Sequence, residues 1–353
     1  MRKGRILATI VVAFSVLAAG CGGSKPETTG QTNVQEAAPE SKETNPITIK
    51  LAHTNSATDR DPYHAVALKF KEIMEKNEKV KVEIFPGGQL GGEQRAFQDM
   101  QNGIIQATVL ASNNASVFAP SLSVLDLPFL FKSNDEFKKV ITELDGKFTD
   151  IMIKESDTRP IAWGVQGFRV LSNSKKPVEK MEDLKGIKIR VPNNPVQVST
   201  FKAWNSEPVA MGFDELFGAL QQKVVDGMEM TYVGIAQQKF YEVQSYVTDL
   251  RYKLAINPLV VSETWFQSLP QDVQEEILAA GKEITEHAFS IAEELEKEGK
   301  DILTEKGVQL SGRPVDEEVW VQEAMKVWPD VYPLIKDPTI LDEVLKVLDI
   351  EKP

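Results

Sequence analysis

Cysteine is almost absent from this chain of 353 residues, which contains only Cys21. A disulfide within one chain is therefore impossible, and the folded part must be stabilised by its core. Histidine is also rare, and His53, His64 and His287 form neither an HExxH motif nor a paired-histidine spacing. A zinc site is not expected from such a pattern. We predict that these residues form no metal site and that the protein has no cofactor.

Positive charge is in deficit, because 40 lysine and arginine residues are outnumbered by 52 acidic residues, giving a formal net charge of −12. No basic stripe is present that would bind nucleic acid. Catalytic motifs are missing as well: the chain has no GxSxG elbow, and Gly87–Gly92 lacks the Lys-Ser/Thr pair of a phosphate-binding loop. We predict that the protein is not an enzyme.

The longest apolar run lies at the N-terminus and has the form of a secretory signal. Arg2, Lys3 and Arg5 precede the apolar stretch 6–20, which is short for a membrane span. The stretch ends in "LAAGC", a lipobox in which Cys21 receives a lipid after cleavage. We therefore expect a signal peptide at 1–20 and an extracytoplasmic, lipid-anchored protein; the alternative is an ordinary secretory signal with a chance cysteine.

A tether is predicted to follow the lipidated cysteine. Residues 21–46 are rich in Ser, Thr, Glu, Pro and Gly and contain few large apolar side chains. Such a composition cannot bury enough apolar surface to order itself. Residues 47–353 remain for the folded part, which is long enough for two lobes.

Strand patterns alternate with helix patterns in this part of the chain, which is typical of the α/β class. Strands are predicted at 47–51, 80–84, 105–111, 160–171, 187–191, 224–230 and 246–254. Helices are predicted from Pro62 to about Met74 and at 196–204, 214–223, 234–242 and 271–305. The last would be about 50 Å long and is expected to brace both lobes. The apolar segment Leu125–Phe131, interrupted by Pro128, is interpreted as a buried crossing.

Arg190 lies in a short strand with the sequence "IKIRV". Apolar residues alternate with Lys188 and Arg190, and Pro192 ends the pattern. The pattern alone leaves two interpretations open. Arg190 either belongs to the solvated face of an edge strand or points at a ligand.

Six longer segments occur in a fixed order: "FPGGQLGGEQ" (85–94), "LDLPFLF" (125–131), "GFRVLSNSKKPV" (167–178), "DLKGIKIRVPNNP" (183–195), "EPVAMGFDELFGALQQKVVDGMEM" (207–230) and "QQKFYEVQSYV" (237–247). Behind a lipobox, they resemble the extracytoplasmic solute receptors of tripartite ATP-independent periplasmic (TRAP) transporters, of the dicarboxylate-receptor (DctP) type. The resemblance covers nearly all of residues 47–353.

This resemblance implies a two-lobed periplasmic-binding-protein-like fold with a hinge and a long helix that spans both lobes. We expect 47–166 with 255–295 to form the first lobe and 167–254 with 296–353 to form the second. It also implies a receptor that captures an organic acid and delivers it to the membrane subunits of a TRAP permease. The alternatives are a receptor for an ATP-driven importer and a sensor module for a signalling kinase.

The resemblance implies that Arg190 grips the substrate carboxylate, which a planar guanidinium can hold with two hydrogen bonds. Arg169 matches a second arginine that often joins the site. Asn193 follows the Arg190 strand, and Phe213 matches a ring that lines the cleft. Further expected contacts come from Asn113, Glu93, Thr54 and Trp163, although each of these also fits a solvated or core position.

One departure from the family pattern concerns the ligand. Relatives commonly carry Asn-Pro where this chain has Met230-Thr231-Tyr232. A thioether in place of an amide favours a monoacid with an apolar or aromatic portion, with Tyr232 as a platform for it. In the alternative interpretation, Met230 points into the lobe core and does not contact the ligand.

Overall fold

The computed structural model describes residues 46–352. The predicted signal peptide, Cys21 and the tether lie outside these residues. No helix of the described part is both long and apolar enough to cross a membrane.

Ten strands are described, and most of them form one mixed sheet in the order β2-β1-β3-β9-β4-β7-β5-β6. Strand β8 pairs with β4, and β10 pairs with β8. The strands are β1 (Ile47–Ala52), β2 (Val80–Phe85), β3 (Ala107–Val109), β4 (Thr158–Asn173), β5 (Lys188–Val191), β6 (Glu207–Ala210), β7 (Gly227–Thr231), β8 (Tyr246–Thr248), β9 (Leu254–Ser262) and β10 (Gln309–Ser311).

Helices connect the parallel strands and cover the sheet. They are α1 (Pro62–Met74), α2 (Glu93–Gln101), α3 (Ser112–Ala115), α4 (Asn134–Ser156), α5 (Pro195–Ala203), α6 (Phe213–Gln221), α7 (Tyr232–Gln237), α8 (Glu263–Gln267), α9 (Gln271–Glu305), α10 (Glu317–Met325), α11 (Trp328–Val331) and α12 (Pro338–Leu348). Short 3-10 segments lie at Pro120–Asp126, Met181–Leu184, Phe240–Glu242 and Tyr332–Leu334.

The same strand order occurs twice, and it defines two lobes. In the first lobe β1 lies between β2 and β3, and in the second lobe β5 lies between β6 and β7; all four of these pairings are parallel. This repetition of topology is not visible as a sequence repeat. Strand β4 passes between the lobes, since its first part pairs with β9 and residues 169–173 pair with β7.

Local sequence explains where the helices next to the cleft begin. The Asp61 carboxylate accepts hydrogen bonds from the backbone N–H groups of Tyr63 and His64, and Pro62 occupies the first helical position of α1. In the same way, the Asn194 side chain accepts hydrogen bonds from the first backbone N–H groups of α5, and Pro195 occupies its first helical position. Helix α1 follows β1 and α5 follows β5, so both helices start beyond the carboxyl end of a parallel strand. Ligand sites form at this end of the strands in α/β sheets.

The C-terminal segment differs from the predicted lobe boundary. Trp320 and Ala324 pack in the core of the second lobe with Ile189 and Phe201. The apolar side chains of α11 and α12 instead join a cluster that contains first-lobe residues, including Phe137 of α4. Residues 296–353 thus do not all belong to the second lobe, because the apolar face of α12 is buried against α4.

Candidate ligand-binding site

Arg190 is buried, with 3 % of its surface exposed, whereas Lys188 on the same strand is exposed. Strand β5 is hydrogen-bonded on both sides, to β6 and to β7. The interpretation of Arg190 as part of a solvated edge strand therefore does not hold. The guanidinium donates through Nε and Nη2 to the carbonyl oxygen of Met211, at 3.2 and 2.9 Å. Neither bond uses Nη1.

Burial lowers the pKa of Arg190 to about 10, with a smaller contribution in the same direction from the neighbouring Arg169. Glu229 and Glu93 oppose this shift. Arg190 is still a cation at neutral pH. Among the described residues, its only hydrogen-bond acceptor is the uncharged carbonyl oxygen of Met211. A buried cation in this position would gain free energy from an anionic ligand.

A cavity of about 330 Å³ opens in front of Arg190, and we call it the Arg190 cavity. Four of the predicted site residues line this cavity, namely Arg190, Asn193, Phe213 and Glu93. The other lining residues are Gly92, Gln94, Arg95, Gln98, Asn114, Met211, Gly212, Asp214 and Glu215. The cavity is thus built from both lobes.

Helices α2 and α6 occupy equivalent places in the two lobes, and both begin at this cavity. Their N-cap residues, Gly92 and Gly212, provide no side-chain acceptor for the first N–H groups. Helix N-termini attract negative charge. Carboxylates of Glu93, Asp214 and Glu215 already lie beside these termini, so the lining offers acceptors as well as the Arg190 cation.

Arg169 is paired with a carboxylate that the sequence did not reveal as a site residue. Its Nη1 lies 2.7 Å from Glu229 Oε2, which also accepts a hydrogen bond of 2.9 Å from the Tyr252 hydroxyl. Burial opposes ionisation, but the charge of Glu229 raises the pKa of Arg169 above its ordinary value. Arg169 Nε and Glu229 Oε1 are buried and have no hydrogen-bond partner among the described residues.

Two further first-lobe candidates, Thr54 and Asn113, do not line the Arg190 cavity themselves but adjoin residues that do, Glu93 and Asn114. Thr54 donates to Glu93 Oε1 at 3.1 Å, and Glu93 Oε2 accepts from the backbone N–H of Ala111 at 3.0 Å and from Asn114. Asn113 is buried, and its Nδ2 has no partner within residues 46–352. Glu93 is therefore held in a fixed position by three donors.

Hydrogen bonds join the two lobes at two places along the cleft. Asn194 Nδ2 donates to the carbonyl of Asn113 at 2.8 Å, and also reaches Ser116 Oγ and Asp126 Oδ2. Along the other rim, Thr58 Oγ1 donates to Gln237 Oε1 at 3.0 Å, and Gln238 Nε2 donates to Asp61 Oδ2 at 2.8 Å. The two lobes are in contact across the cleft in this conformation.

Three predicted site residues lie elsewhere. Trp163 packs against Phe137 and Phe148 in a core cluster, and its Nε1 donates to Asp145 at 2.8 Å. Met230 belongs to the apolar cluster of the second lobe, on the opposite face of β7 from its neighbour Glu229.

Tyr232 starts α7 and packs on α9, with the Lys300 ammonium 4.6 Å from its ring centre. Like Trp163 and Met230, it does not line the Arg190 cavity. These three predicted contacts thus lie outside the group of residues that surrounds Arg190.

The charged groups behind the cavity were missed from the sequence, although a signal was available. Glu229 stands between two methionines in the strand sequence "GMEMT", and a carboxylate in such a strand points to a buried partner. A second buried ion pair joins Lys253 to Asp126 at 2.7 Å, and burial lowers the pKa of Lys253 despite this partner.

No group of three or more His, Cys, Asp or Glu residues in the described part of the chain is arranged to hold a metal ion. Two histidines do meet in the first lobe: His53 Nε2 and His64 Nδ1 are 3.0 Å apart. Burial, and to a smaller extent the neighbouring His64, lower the pKa of His53 to about 3, so it is neutral at physiological pH.

Comparison with known proteins is decisive for the family. Residues 51–333 match the DctP family, described as bacterial extracellular solute-binding protein, family 7. The chain belongs to this family. The family is one of solute-binding receptors, and the fold described above matches that of solved TRAP periplasmic solute-binding proteins.

Three solved structures of DctP relatives illustrate the similarity, and each comparison covers 86 % of this chain. A TRAP periplasmic solute-binding protein from Rhodobacter sphaeroides, crystallised in an open apo form, is 36 % identical, with 99 % of its chain covered and a TM-score of 0.72. One from Haemophilus influenzae with bound L-gulonate is 32 % identical, with 100 % covered and a TM-score of 0.79. One from Shewanella oneidensis with bound succinate is 28 % identical, with 99 % covered and a TM-score of 0.79.

Proposed function

We propose that this DctP-family protein captures an organic acid outside the cytoplasmic membrane and delivers it to a TRAP permease. The observation that carries the proposal is the buried Arg190 guanidinium, which faces a cavity shared by both lobes. A carboxylate there gains a charge-assisted hydrogen bond in a desolvated place. Arg169 and Asn193 are proposed as further donors to the acid.

We further propose that the preferred acid is a hydroxylated monocarboxylate. Glu93, Asp214 and Glu215 line the same cavity as Arg190. These carboxylates accept hydrogen bonds from hydroxyl groups but repel a second carboxylate on the ligand. The relative with bound L-gulonate has a ligand of this kind, whereas the relative with bound succinate does not.

Cys21 is proposed to carry the lipid that anchors the receptor, with residues 22–46 as its tether. The lipobox sequence supports this part of the proposal. Membrane fractionation of cells that produce the wild type or Cys21→Ala tests it. We expect the wild type in the membrane fraction and the variant in the soluble fraction; equal partition of both proteins would contradict a lipid anchor at Cys21.

A thermal-shift screen tests the ligand proposal. The panel contains aldonates such as gluconate and L-gulonate, C4-dicarboxylates such as succinate, and the uncharged alditols that match the aldonates. A ligand at 100 times its Kd adds about 2.7 kcal/mol of stability. We expect stabilisation by an aldonate, less by succinate and none by the alditols. A receptor that responds to alditols as strongly as to aldonates would contradict carboxylate capture.

A further inference from the structure

A second cavity, of about 440 Å³, lies behind strand β4, and we call it the back cavity. Phe168 forms part of its wall. The next residue, Arg169, points to the other face of β4 and binds Glu229. The back cavity shares no lining residue with the Arg190 cavity. It is therefore a separate site on the reverse side of a strand that joins the two lobes.

Aromatic side chains form most of the apolar wall of the back cavity. Phe129, Phe131, Phe168 and Trp328 all contribute. Trp328 is held in place because its Nε1 donates to the carbonyl of Pro128 at 3.0 Å. A wall of rigid rings offers a large apolar contact area to an apolar chain or ring.

Positive charge surrounds this apolar wall. Lys132, Arg251 and Arg313 line the back cavity, together with a single carboxylate, Glu317. Arg251 stacks on the Phe168 ring at 4.4 Å and pairs with Glu296 at 2.8 Å, and Arg313 pairs with Glu317. Within residues 46–352, the Lys132 ammonium takes part in none of the ion pairs. Among the described residues, Lys132 is therefore the lining cation without a carboxylate partner, and its charge favours an anionic ligand at this cavity although the chain has a net charge of −12.

The backbone around the back cavity is strained. Phe129 and Arg251 have φ angles of 58° and 50°, in the left-handed region that large side chains rarely adopt. The N–H of Phe129 donates to the carbonyl of Tyr252 at 2.6 Å, which ties the two strained segments together. Strain of this kind persists where the surrounding structure holds it, and it concentrates at ligand sites.

We infer that the back cavity is a second ligand site, for an amphipathic organic anion. The apolar chain or ring of this ligand lies between Phe129, Phe168 and Trp328, and its carboxylate meets Lys132 and Arg313. This chemistry differs from that of the Arg190 cavity, which is lined by polar and acidic groups and suits a hydroxylated acid.

Calorimetric titration with octanoate tests this site, with octanamide as the uncharged analogue. We expect octanoate to bind at least tenfold more tightly than octanamide, about 1.4 kcal/mol. Val321 lines the back cavity, so Val321→Trp fills it and should weaken octanoate binding at least tenfold. The matched control is Val319→Trp on the same helix, since Val319 is exposed and does not line the cavity.

A charge-reversal pair keeps the test independent of any effect of Val321→Trp on folding. Lys132→Glu should weaken octanoate binding about fivefold, because a carboxylate would then face the ligand anion. Lys336→Glu, an exposed change outside the cavity, should leave it unchanged. The inference is overturned if the wild type does not bind octanoate or if Val321→Trp binds it normally. It is also overturned if Arg190→Ala abolishes binding, because octanoate would then occupy the Arg190 cavity.

Discussion

Arg169 Nη1 lies 2.7 Å from Glu229 Oε2, and both side chains are buried at the place where β4 meets β7. Removing one charge of a buried pair leaves the other uncompensated, which costs several kcal/mol. Neither charge can therefore be removed alone without destabilising the fold next to Arg190, and the pairing also keeps Arg169 from presenting a full positive charge to the cleft.

The first prediction concerns this pair. Glu229→Gln should lower the free energy of unfolding by about 3 kcal/mol in the absence of ligand, because Arg169 loses its counter-charge. A saturating carboxylate ligand should restore part of the loss. Urea denaturation with and without ligand measures both quantities. Asp301→Asn, in an exposed ion pair with Lys297, is the control and should cost less than about 1 kcal/mol. A similarly small effect of Glu229→Gln would contradict the assigned role.

Arg190→Ala should weaken binding of the organic acid by about 30- to 1000-fold, or about 2–4 kcal/mol, because the carboxylate loses a charged partner in a desolvated cleft. Arg190→Lys should recover only part of the affinity, since it restores the charge without the planar fork. Lys188→Ala on the same strand is the matched control, because Lys188 is exposed. Calorimetry on the three variants is the measurement. An unchanged Kd for Arg190→Ala would falsify the proposed carboxylate contact.

Met230 provides a prediction that separates core packing from ligand contact. Because its side chain lies among apolar residues of the second lobe, Met230→Asn should lower the free energy of unfolding by about 2–4 kcal/mol. The relative affinities for an aldonate and for succinate should not change. Met230→Leu keeps the volume and should cost less than about 1.5 kcal/mol. A shift of preference towards succinate in Met230→Asn would place Met230 in the ligand site after all.

The raised pKa of Asp61 leads to a prediction about how the stability of the fold depends on pH. Burial raises the pKa of Asp61 from 3.8 to about 6, although hydrogen bonds from Tyr63, His64, Asn55 and Gln238 oppose the shift. The folded state thus binds the proton more tightly than the unfolded state does. The stability that this carboxyl adds is fully present below pH 3.8 and is lost as the pH rises through 6.

Asp61→Asn removes this titration and keeps a side chain that caps α1. Between pH 7 and pH 4, the wild type should therefore gain about 2 kcal/mol relative to the variant. His53 has a lowered pKa and acts in the opposite direction, but it is present in both proteins and cancels in the difference. Denaturant unfolding at the two pH values is the measurement. A wild-type-minus-variant difference that does not vary with pH would show that Asp61 does not titrate in this range.

The rim contact between Gln238 and Asp61 should affect how long the ligand stays bound. Gln238→Ala removes a hydrogen bond between the lobes, so we expect the dissociation rate of the organic acid to rise about fivefold with little change in the association rate. Gln221→Ala, on the exposed end of α6, is the control. Stopped-flow measurements give both rates. Equal dissociation rates for wild type and Gln238→Ala would exclude a role for this contact in retaining the ligand.

Much of the fold could be predicted because its helices and strands carry strong local patterns. The long helix was predicted at 271–305 and is observed at Gln271–Glu305, since its apolar stripe is uninterrupted. The strand predicted at 246–254 is observed only as β8, which ends at Thr248, and β9 was missed; β9 contains Pro258 opposite Trp163, and proline is rare within a sheet because it has no backbone N–H. Helix α4 was missed too, although Ser133 and Glu136 carry a helix N-terminus pattern, and the Glu136 N–H does bind Ser133 Oγ.

The candidate site was predictable only in part. Arg190, Asn193, Phe213 and Glu93 do line one cavity, and the family resemblance placed them together. Residue types alone could not separate them from Trp163, which belongs to the core. The partner of Arg169 depends on the antiparallel pairing of β4 with β7, which brings together residues 60 positions apart. The register between two strands so far apart in sequence cannot be predicted from local sequence patterns.

Helix α9 touches each lobe at a glycine. A Cβ atom at Gly281 would lie 1.9 Å from the carbonyl oxygen of Ile161 in β4, and one at Gly299 would lie 2.8 Å from the backbone of Tyr232 in α7. These 18 positions span about 27 Å along the helix axis. At such close contacts the helix cannot slide over either lobe without a steric clash. We therefore expect a separation of the lobes to bend the helix between Gly281 and Gly299 rather than to move it across either lobe.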